Sequence, residues 1–129
     1  MRPIATAADL EEARSQPRAL VFLWVNWAIQ AYKSRHMVRE LVSSWEAAHP
    51  DLMTPIYTAD LSDQQGEVWD AIRSWLEKEG RPGDQLTFGG CGPLLWLRSG
   101  SVIAHVLFAG YYELSKLLAV TRGVYESEQ

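Results

Sequence analysis

The sequence predicts an α/β fold: a three-layer α/β/α sandwich in which helices cover both faces of a mixed four-stranded sheet. The apolar run at residues 19–25 has the length of a strand and no polar position, which is typical of a central strand buried on both faces. The predicted element order, α-β-α-β-α-β-β-α, contains a strand–helix–strand unit, which needs a parallel pair, and a hairpin, which adds antiparallel strands. With 129 residues, 47% of them hydrophobic, the chain has the size of one domain, predicted over residues 1–129.

The first half of the chain predicts a helix, a strand and a second, longer helix. Thr6 or Asp9 can cap a short amphipathic helix that stops before Pro17. The buried strand at 19–25 follows. From residue 30 to 49 the apolar positions recur at spacings of three and four, which places them on one stripe of a long helix, and the next residue is a proline that ends it.

The next two elements are a strand at 54–60 and a helix at 68–79. The strand has a proline near its start, where a missing N–H is tolerable. Ser62 and Gln65 have the spacing of a capping box, and Gly80 is placed to cap the carboxyl end of the helix.

The last part of the chain predicts a hairpin and a final helix. Residues 81–84 are rich in turn formers and are expected to form a link. Strands at 94–97 and 101–108 flank a tight turn at Ser99–Gly100, and a helix is predicted at 111–122.

Charge and composition exclude several classes of partner. The chain carries 12 basic and 16 acidic side chains, a net charge of −4, whereas nucleic acids and anionic membranes require a clustered cationic surface. No apolar run approaches the roughly 18 residues of a transmembrane helix, and the early run at 19–25 is too short and follows acidic residues, so we expect no signal peptide. The one cysteine, Cys91, cannot form an internal disulfide. We therefore expect a cytoplasmic protein.

An ordered set of short motifs carries a resemblance to a known family. The sequence Trp24-Val-Asn-Trp27 stands at the end of the strand at 19–25, and Ala28-Ile-Gln-Ala31 follows it at the start of the long helix. Gly92-Pro93, Ser99-Gly100 and Gly110 come later, in that order. This order resembles the thioredoxin family, in which W-x-x-W-C-x-x-C ends a strand and a cis proline precedes the third strand. The resemblance implies a thioredoxin-like fold over most of the chain.

The departures from the family pattern remove its redox chemistry. Ala28 and Ala31 occupy both cysteine positions, and Phe22 stands where redox-active members keep a buried Asp. Disulfide exchange needs an attacking thiolate and a resolving thiol, and a methyl group can supply neither. We therefore predict a redox-inactive member with no catalytic residue and no cofactor.

The resemblance also implies where such a protein would bind. In thioredoxin-like proteins a groove beside the cis proline binds an extended peptide by main-chain pairing. Here the backbone of Gly92, Pro93 and the side chains of Trp27 and Tyr32 would line it. The predicted function is a protein-binding module, such as a chaperone or an assembly factor, whose partner is another protein or a peptide segment.

The segment between Asp60 and Pro93, 33 positions apart, is longer than the family's usual connection. It predicts an inserted helical segment at about 62–90, which is either a loop stabilised by packing, or a contact for a partner or a lid beside the former active site. Trp69 and Trp75 are six positions apart and lie on different sides of an ideal helix. Because Trp75 falls on the apolar stripe, Trp69 is the candidate for an exposed anchor.

Cys91 carries the alternative function. It lies two residues before Pro93, near the start of the long helix in this fold, where Lys33 or Arg35 could lower the pKa of its thiol. The alternatives are an inert, partly buried cysteine and a monothiol redox enzyme or sensor.

A basic cluster follows on the long helix, formed by Lys33, Arg35, His36 and Arg39. Its charges either form salt bridges with Glu40, Glu46 or another element, or bind an anionic surface such as an acidic peptide segment. A further alternative is a homodimer formed through exposed aromatic side chains. The three histidines and Cys91 have no ligand-like spacing, so we predict no metal site.

Overall fold

A computed structural model describes residues 1–126 and shows a mixed sheet of five strands in the order β1-β3-β2-β4-β5. The strands are β1 (Arg2–Pro3), β2 (Arg18–Trp24), β3 (Ile56–Asp60), β4 (Leu94–Arg98) and β5 (Ser101–Val106). β1, β3 and β2 are parallel, whereas β4 and β5 are antiparallel to their neighbours. The fold class is confirmed, but the count of four strands is wrong by one. β1 has only two residues, both exposed, and is too short to show an apolar pattern.

Helices cover both faces of the sheet. They are α1 (Ala7–Ser15), α2 (Ile29–Ala48), α3 (Glu67–Lys78), α4 (Gly83–Phe88) and α5 (Leu114–Tyr125). α1, α3 and α4 pack on one face, and α2 and α5 on the other. Successive residues of β2 serve both cores: Val21 and Leu23 point to the first, and Leu20 and Phe22 to the second. The apolar run therefore forms a strand buried on both faces, as predicted.

The start of α1 and the end of α3 follow their sequence signals. Thr6 and Asp9 form a capping box, with the Asp9 N–H 3.2 Å from Thr6 Oγ1 and the Thr6 N–H 3.0 Å from Asp9 Oδ2. The pKa of Asp9 is lowered by hydrogen bonds from the main-chain N–H groups of Ala5 and Thr6. At the end of α3, Gly80 has a φ of +75° and the Arg81 N–H donates to Leu76 O at 2.9 Å, which is a Schellman cap.

The inserted segment departs from its prediction in two places. Ser62 does not cap α3, because its hydroxyl accepts the Asn26 N–H at 2.8 Å and donates to the carboxylate of Asp60. α3 begins after Gly66 instead. α4 occupies part of the predicted turn-rich link. It packs closely on α3, since a Cβ at Gly83 would lie 2.9 Å from the carbonyl oxygen of Arg73.

The hairpin and the final helix both form as the sequence predicts, but the helix has different bounds. Ser99 and Gly100 have φ angles of +52° and +84°, which suit a two-residue hairpin turn. A short 3-10 turn at Ala109–Tyr111 precedes α5, which begins at Leu114 rather than at residue 111. The 3-10 turn arises from a tertiary contact, because the N–H of Gly110 donates to Ser34 Oγ at 2.8 Å.

Side chains of the inserted segment cover the outer edge of β5 at Val102. The main-chain N–H of Val102 donates to Glu79 Oε1 at 2.7 Å, and the Val102 carbonyl oxygen accepts from Arg81 Nη2 at 2.7 Å. Arg81 also lies 3.1 Å from Nδ1 of His105. Burial, and then the positive charge of Arg81, lower the pKa of His105. Across residues 1–126, no helix has the length and apolar character that crossing a bilayer requires.

Candidate functional site

The loop between β2 and α2 is held in place by the loop after β3. The Asn26 N–H donates to Ser62 Oγ at 2.8 Å, and the indole Nε1–H of Trp27 donates to Ser62 O at 3.1 Å. Ala28 then takes the N-cap position of α2 in an extended conformation, with no side-chain hydrogen bond to the helix. These contacts fix the position of Trp27 relative to the sheet.

Large apolar side chains are exposed at this end of the molecule, and we call three of them the apolar patch: Trp27, Ile29 and Phe88. They are 53%, 85% and 53% exposed. The rings of Trp27 and Phe88 meet edge to face, with centroids 5.6 Å apart. Phe88 lies directly over Gly90, where a Cβ would come within 2.6 Å of its ring. Exposed apolar surface that is rigidly held and contiguous is typical of an interaction site.

Tyr32 borders the apolar patch on α2. Its side chain is 47% exposed, and its hydroxyl donates to Asn26 O at 3.0 Å. Its ring packs edge-on against Trp24, with centroids 5.5 Å apart. Trp27 and Tyr32 thus lie exposed near the start of α2, where the sequence placed them.

Gly92 and Pro93 do not line an open groove. Both are buried, the Gly92 N–H donates to Gly89 O at 3.1 Å, and the Gly92 carbonyl oxygen accepts from the Ala109 N–H at 3.3 Å. The carbonyl oxygen of Pro93 accepts from the Leu23 N–H. In the described conformation the Gly92 N–H is therefore already used, and both carbonyl oxygens have internal partners. Main-chain pairing of a peptide at Gly92 stays a prediction.

The expected cis peptide bond before Pro93 is also absent. No peptide bond among residues 1–126 is cis, so the Gly92–Pro93 bond is trans. The chain reverses at this point through Gly92 itself, which has a φ of +71°.

Ser34 joins three segments beneath the site, and the sequence interpretation missed it. Its side chain is fully buried; Oγ donates to Cys91 O at 2.6 Å and accepts the Gly110 N–H at 2.8 Å. A Cβ at Gly92 would come within 2.4 Å of Ser34 Cβ. The available signal was the position of Ser34, which lies one turn before Val38 on the apolar stripe of α2.

Comparison with solved structures identifies this architecture. Thioredoxin O2 from Arabidopsis thaliana superposes with a TM-score of 0.61 and 13% identity, over 96% of this chain and 93% of that chain. Thioredoxin from Malassezia sympodialis gives a TM-score of 0.60 and 14% identity, over 93% and 86% of the two chains. Chlamydomonas reinhardtii thioredoxin f2 gives 0.60 and 9% identity, over 97% and 96%. The chain has the thioredoxin fold. No protein-family model and no curated protein matches the sequence.

This thioredoxin fold lacks the C-x-x-C motif. The whole sequence holds one cysteine, and Ala28 and Ala31 occupy the start of α2. Ala31 is fully buried and Ala28 is partly covered. Phe22, at the strand position of a buried acid in redox-active thioredoxins, is fully buried in the core. No pair of thiols is therefore present for dithiol exchange.

Cys91 is a free, partly exposed thiol on the wall of an open groove of about 810 Å³. Pro82, Phe88 and Leu107 give the groove apolar surface, and Glu77, Arg81 and Asp84 give it charge. The groove and the apolar patch share Phe88, so the two form one continuous surface. No group of three or more His, Cys, Asp or Glu side chains in residues 1–126 could hold a metal ion.

Trp69 is not the exposed anchor that its spacing suggested. It is half-buried, its indole N–H donates to Thr87 O at 3.3 Å, and the guanidinium of Arg73 lies 5.4 Å from its ring centroid. Trp75 is buried, as expected. The indole of Trp69 thus links α3 to α4 by a hydrogen bond. The exposed aromatic side chain of the inserted segment is Phe88 instead.

The basic side chains of α2 make few ion pairs. His36 lies 3.3 Å from the carboxylate of Glu40. The guanidinium of Arg35 lies over the ring of Trp24, 4.9 Å from its centroid. Within the part of the chain that the structure describes, Lys33, Arg35 and Arg39 have no carboxylate within 4.0 Å. Internal salt bridges therefore do not account for this cluster.

Proposed function

We propose that this protein is a binding module for another protein, works without thiol–disulfide exchange, and captures its partner on the apolar patch. The observation that carries the proposal is the exposure of Trp27, Ile29 and Phe88 by half or more at one end of the sheet, in a fold that lacks the dithiol. Capture of this kind would suit a chaperone or an assembly factor. A lone cysteine needs no oxidising compartment, which is in keeping with a cytoplasmic location.

The rigidity of the apolar patch supports recognition through side chains. Trp27 is fixed by its hydrogen bond to Ser62 O, and Phe88 by its contacts with Trp27 and Gly90. Preordered aromatic side chains lose little conformational entropy when a partner binds. The adjoining groove can accept a side chain of the partner. The proposed mode is thus anchoring in a pocket, and differs from the main-chain pairing that the sequence predicted at Gly92.

Photo-crosslinking tests the position of the surface. A benzoylphenylalanine at Gln30, which is exposed beside Ile29, should crosslink to a partner in cell extract, whereas the same group at the exposed Met53, at the opposite end of the sheet, should not. A crosslink to a second copy of the chain would identify a homodimer through the patch. Equal crosslinking at both positions would contradict the proposal.

Truncation of Phe88 tests the energetics with the partner so identified. We expect Phe88→Ala to weaken binding at least tenfold, because a central aromatic anchor commonly contributes about 2 kcal/mol. Met53→Ala is the matched control: Met53 is 74% exposed but precedes β3, at the opposite end of the sheet. Its affinity, measured by titration calorimetry, should stay within about twofold of wild type. Equal affinity of Phe88→Ala and wild type would refute the assignment.

The partial exposure of Cys91 in the groove favours a second candidate function, a monothiol redox enzyme or sensor. Under the binding-module proposal we expect iodoacetamide to alkylate Cys91 at pH 6 more slowly than free cysteine, because the side chain is partly covered. The rate is measured by mass spectrometry, with free cysteine alkylated in parallel as the reference. Faster alkylation in the folded protein than in free cysteine would favour the monothiol function, and activity should then disappear in Cys91→Ser.

A further inference from the structure

The apolar patch is followed along α2 by two cations on one face of the helix, which we call the cationic stripe: Arg35 and Arg39. Arg39 is exposed and Arg35 is half-buried. In a chain with 16 acidic side chains, none of those in residues 1–126 approaches these two cations within 4.0 Å. Arg35 and Arg39 are also four residues apart on the helix, where like charges repel. Arg35 lies over the ring of Trp24, but within the described residues no carboxylate offsets the repulsion between the two guanidinium groups.

Helical spacing aligns the cationic stripe with the apolar patch. Tyr32, Arg35 and Arg39 follow each other at spacings of three and four, so they share one face of α2. At about 1.5 Å per residue, Ile29 and Arg39 lie about 15 Å apart along the axis. This distance corresponds to about five residues of an extended peptide. One short segment can thus contact the patch and the stripe together.

The charges around the apolar patch are asymmetric. Trp27 contacts the loop after β3, where Asp60 ends the strand and the exposed Asp63 follows, whereas the cationic stripe lies along α2. A segment with carboxylates would be attracted toward α2 and repelled from the loop. Its orientation on the surface is thereby fixed.

We propose that the partner presents an acidic polypeptide segment whose apolar anchor lies on the apolar patch and whose carboxylates pair with the cationic stripe. This inference rests on the proposed function and specifies its partner. A polypeptide is favoured over nucleic acid or a bilayer because the stripe is narrow. The net charge is −4, and Glu40 lies beside the stripe, so a wide anionic surface would meet carboxylates as well as cations.

Selection from a random 12-residue peptide library displayed on phage tests the chemistry without a known partner. The immobilised full chain should enrich peptides with an aromatic or aliphatic anchor and several Asp or Glu residues. The variant Arg39→Glu should weaken the acidic preference and bind the best wild-type peptide at least tenfold more weakly in 50 mM salt. The control Arg122→Glu makes the same charge change on an exposed position of α5 and should bind within twofold of wild type.

The outcomes separate the two proposals. Enriched peptides that need Phe88 but show no acidic preference would overturn this inference and leave the proposed function standing. Enriched peptides that bind Phe88→Ala as tightly as wild type would overturn the proposed function. Tighter binding to vesicles with 30% phosphatidylserine, or to a 20-nucleotide DNA, than to any selected peptide would overturn the inference in favour of another class of partner.

Discussion

Gly92→Ala is expected to lower the free energy of unfolding by about 3 kcal/mol. Gly92 has a φ of +71°, a conformation that side chains with a Cβ rarely adopt. The added Cβ would also lie 2.4 Å from Ser34 Cβ and 3.1 Å from the Phe22 ring, and both of these side chains are fully buried. Urea unfolding followed by circular dichroism measures the change.

Gly123→Ala provides the matched control, with an effect of opposite sign. Gly123 lies inside α5, and a Cβ there would meet nothing within 4 Å. Because alanine is the better helix former, this variant should gain about 0.5–1 kcal/mol. If Gly92→Ala were as stable as wild type while Gly123→Ala gained stability as expected, the close contact between Gly92 and Ser34 would be contradicted.

The second large loss of stability is expected when Ser34 is replaced. Ser34→Ala should cost about 2–4 kcal/mol, since it leaves the Cys91 carbonyl and the buried Gly110 N–H without their hydrogen-bond partner. We also expect faster alkylation of Cys91, because the turn that carries it is no longer tied to α2. Both quantities can be measured on one sample, by urea unfolding and by mass spectrometry.

Ser43→Ala makes the same chemical change at an exposed position of the same helix. Its stability should stay within about 0.5 kcal/mol of wild type. An equally small loss in Ser34→Ala would show that water replaces the Ser34 hydroxyl, and that the three segments do not depend on it.

Local sequence patterns predict the elements that are stabilised by their own residues. β2 is apolar throughout because it is covered on both faces, and α1 contains its own capping box. α4 was missed because its glycine and the preceding proline favour a turn. The helix forms only because α3 offers it a close packing surface at Gly83 and a hydrogen-bonding indole at Trp69.

The candidate site was predictable only where the residues lie beside a sequence motif. Trp27 and Tyr32 follow β2 directly and could be placed from the resemblance. Phe88 could not, because its contact with Trp27 joins positions 61 residues apart and depends on α4. The burial of Gly92 could not be predicted from the sequence either. Its carbonyl oxygen accepts a hydrogen bond from Ala109, and only the tertiary structure brings these two residues together.

The covered edge of β5 has a consequence for how this molecule behaves in a crowded solution. Open strand edges are where sheets of separate molecules fuse and aggregate. Here Glu79 and Arg81 occupy both main-chain groups of Val102, and at the opposite edge β1 includes Pro3, which has no N–H. Fewer main-chain groups are thereby open to pairing with another sheet, in a protein that exposes an apolar patch at one end.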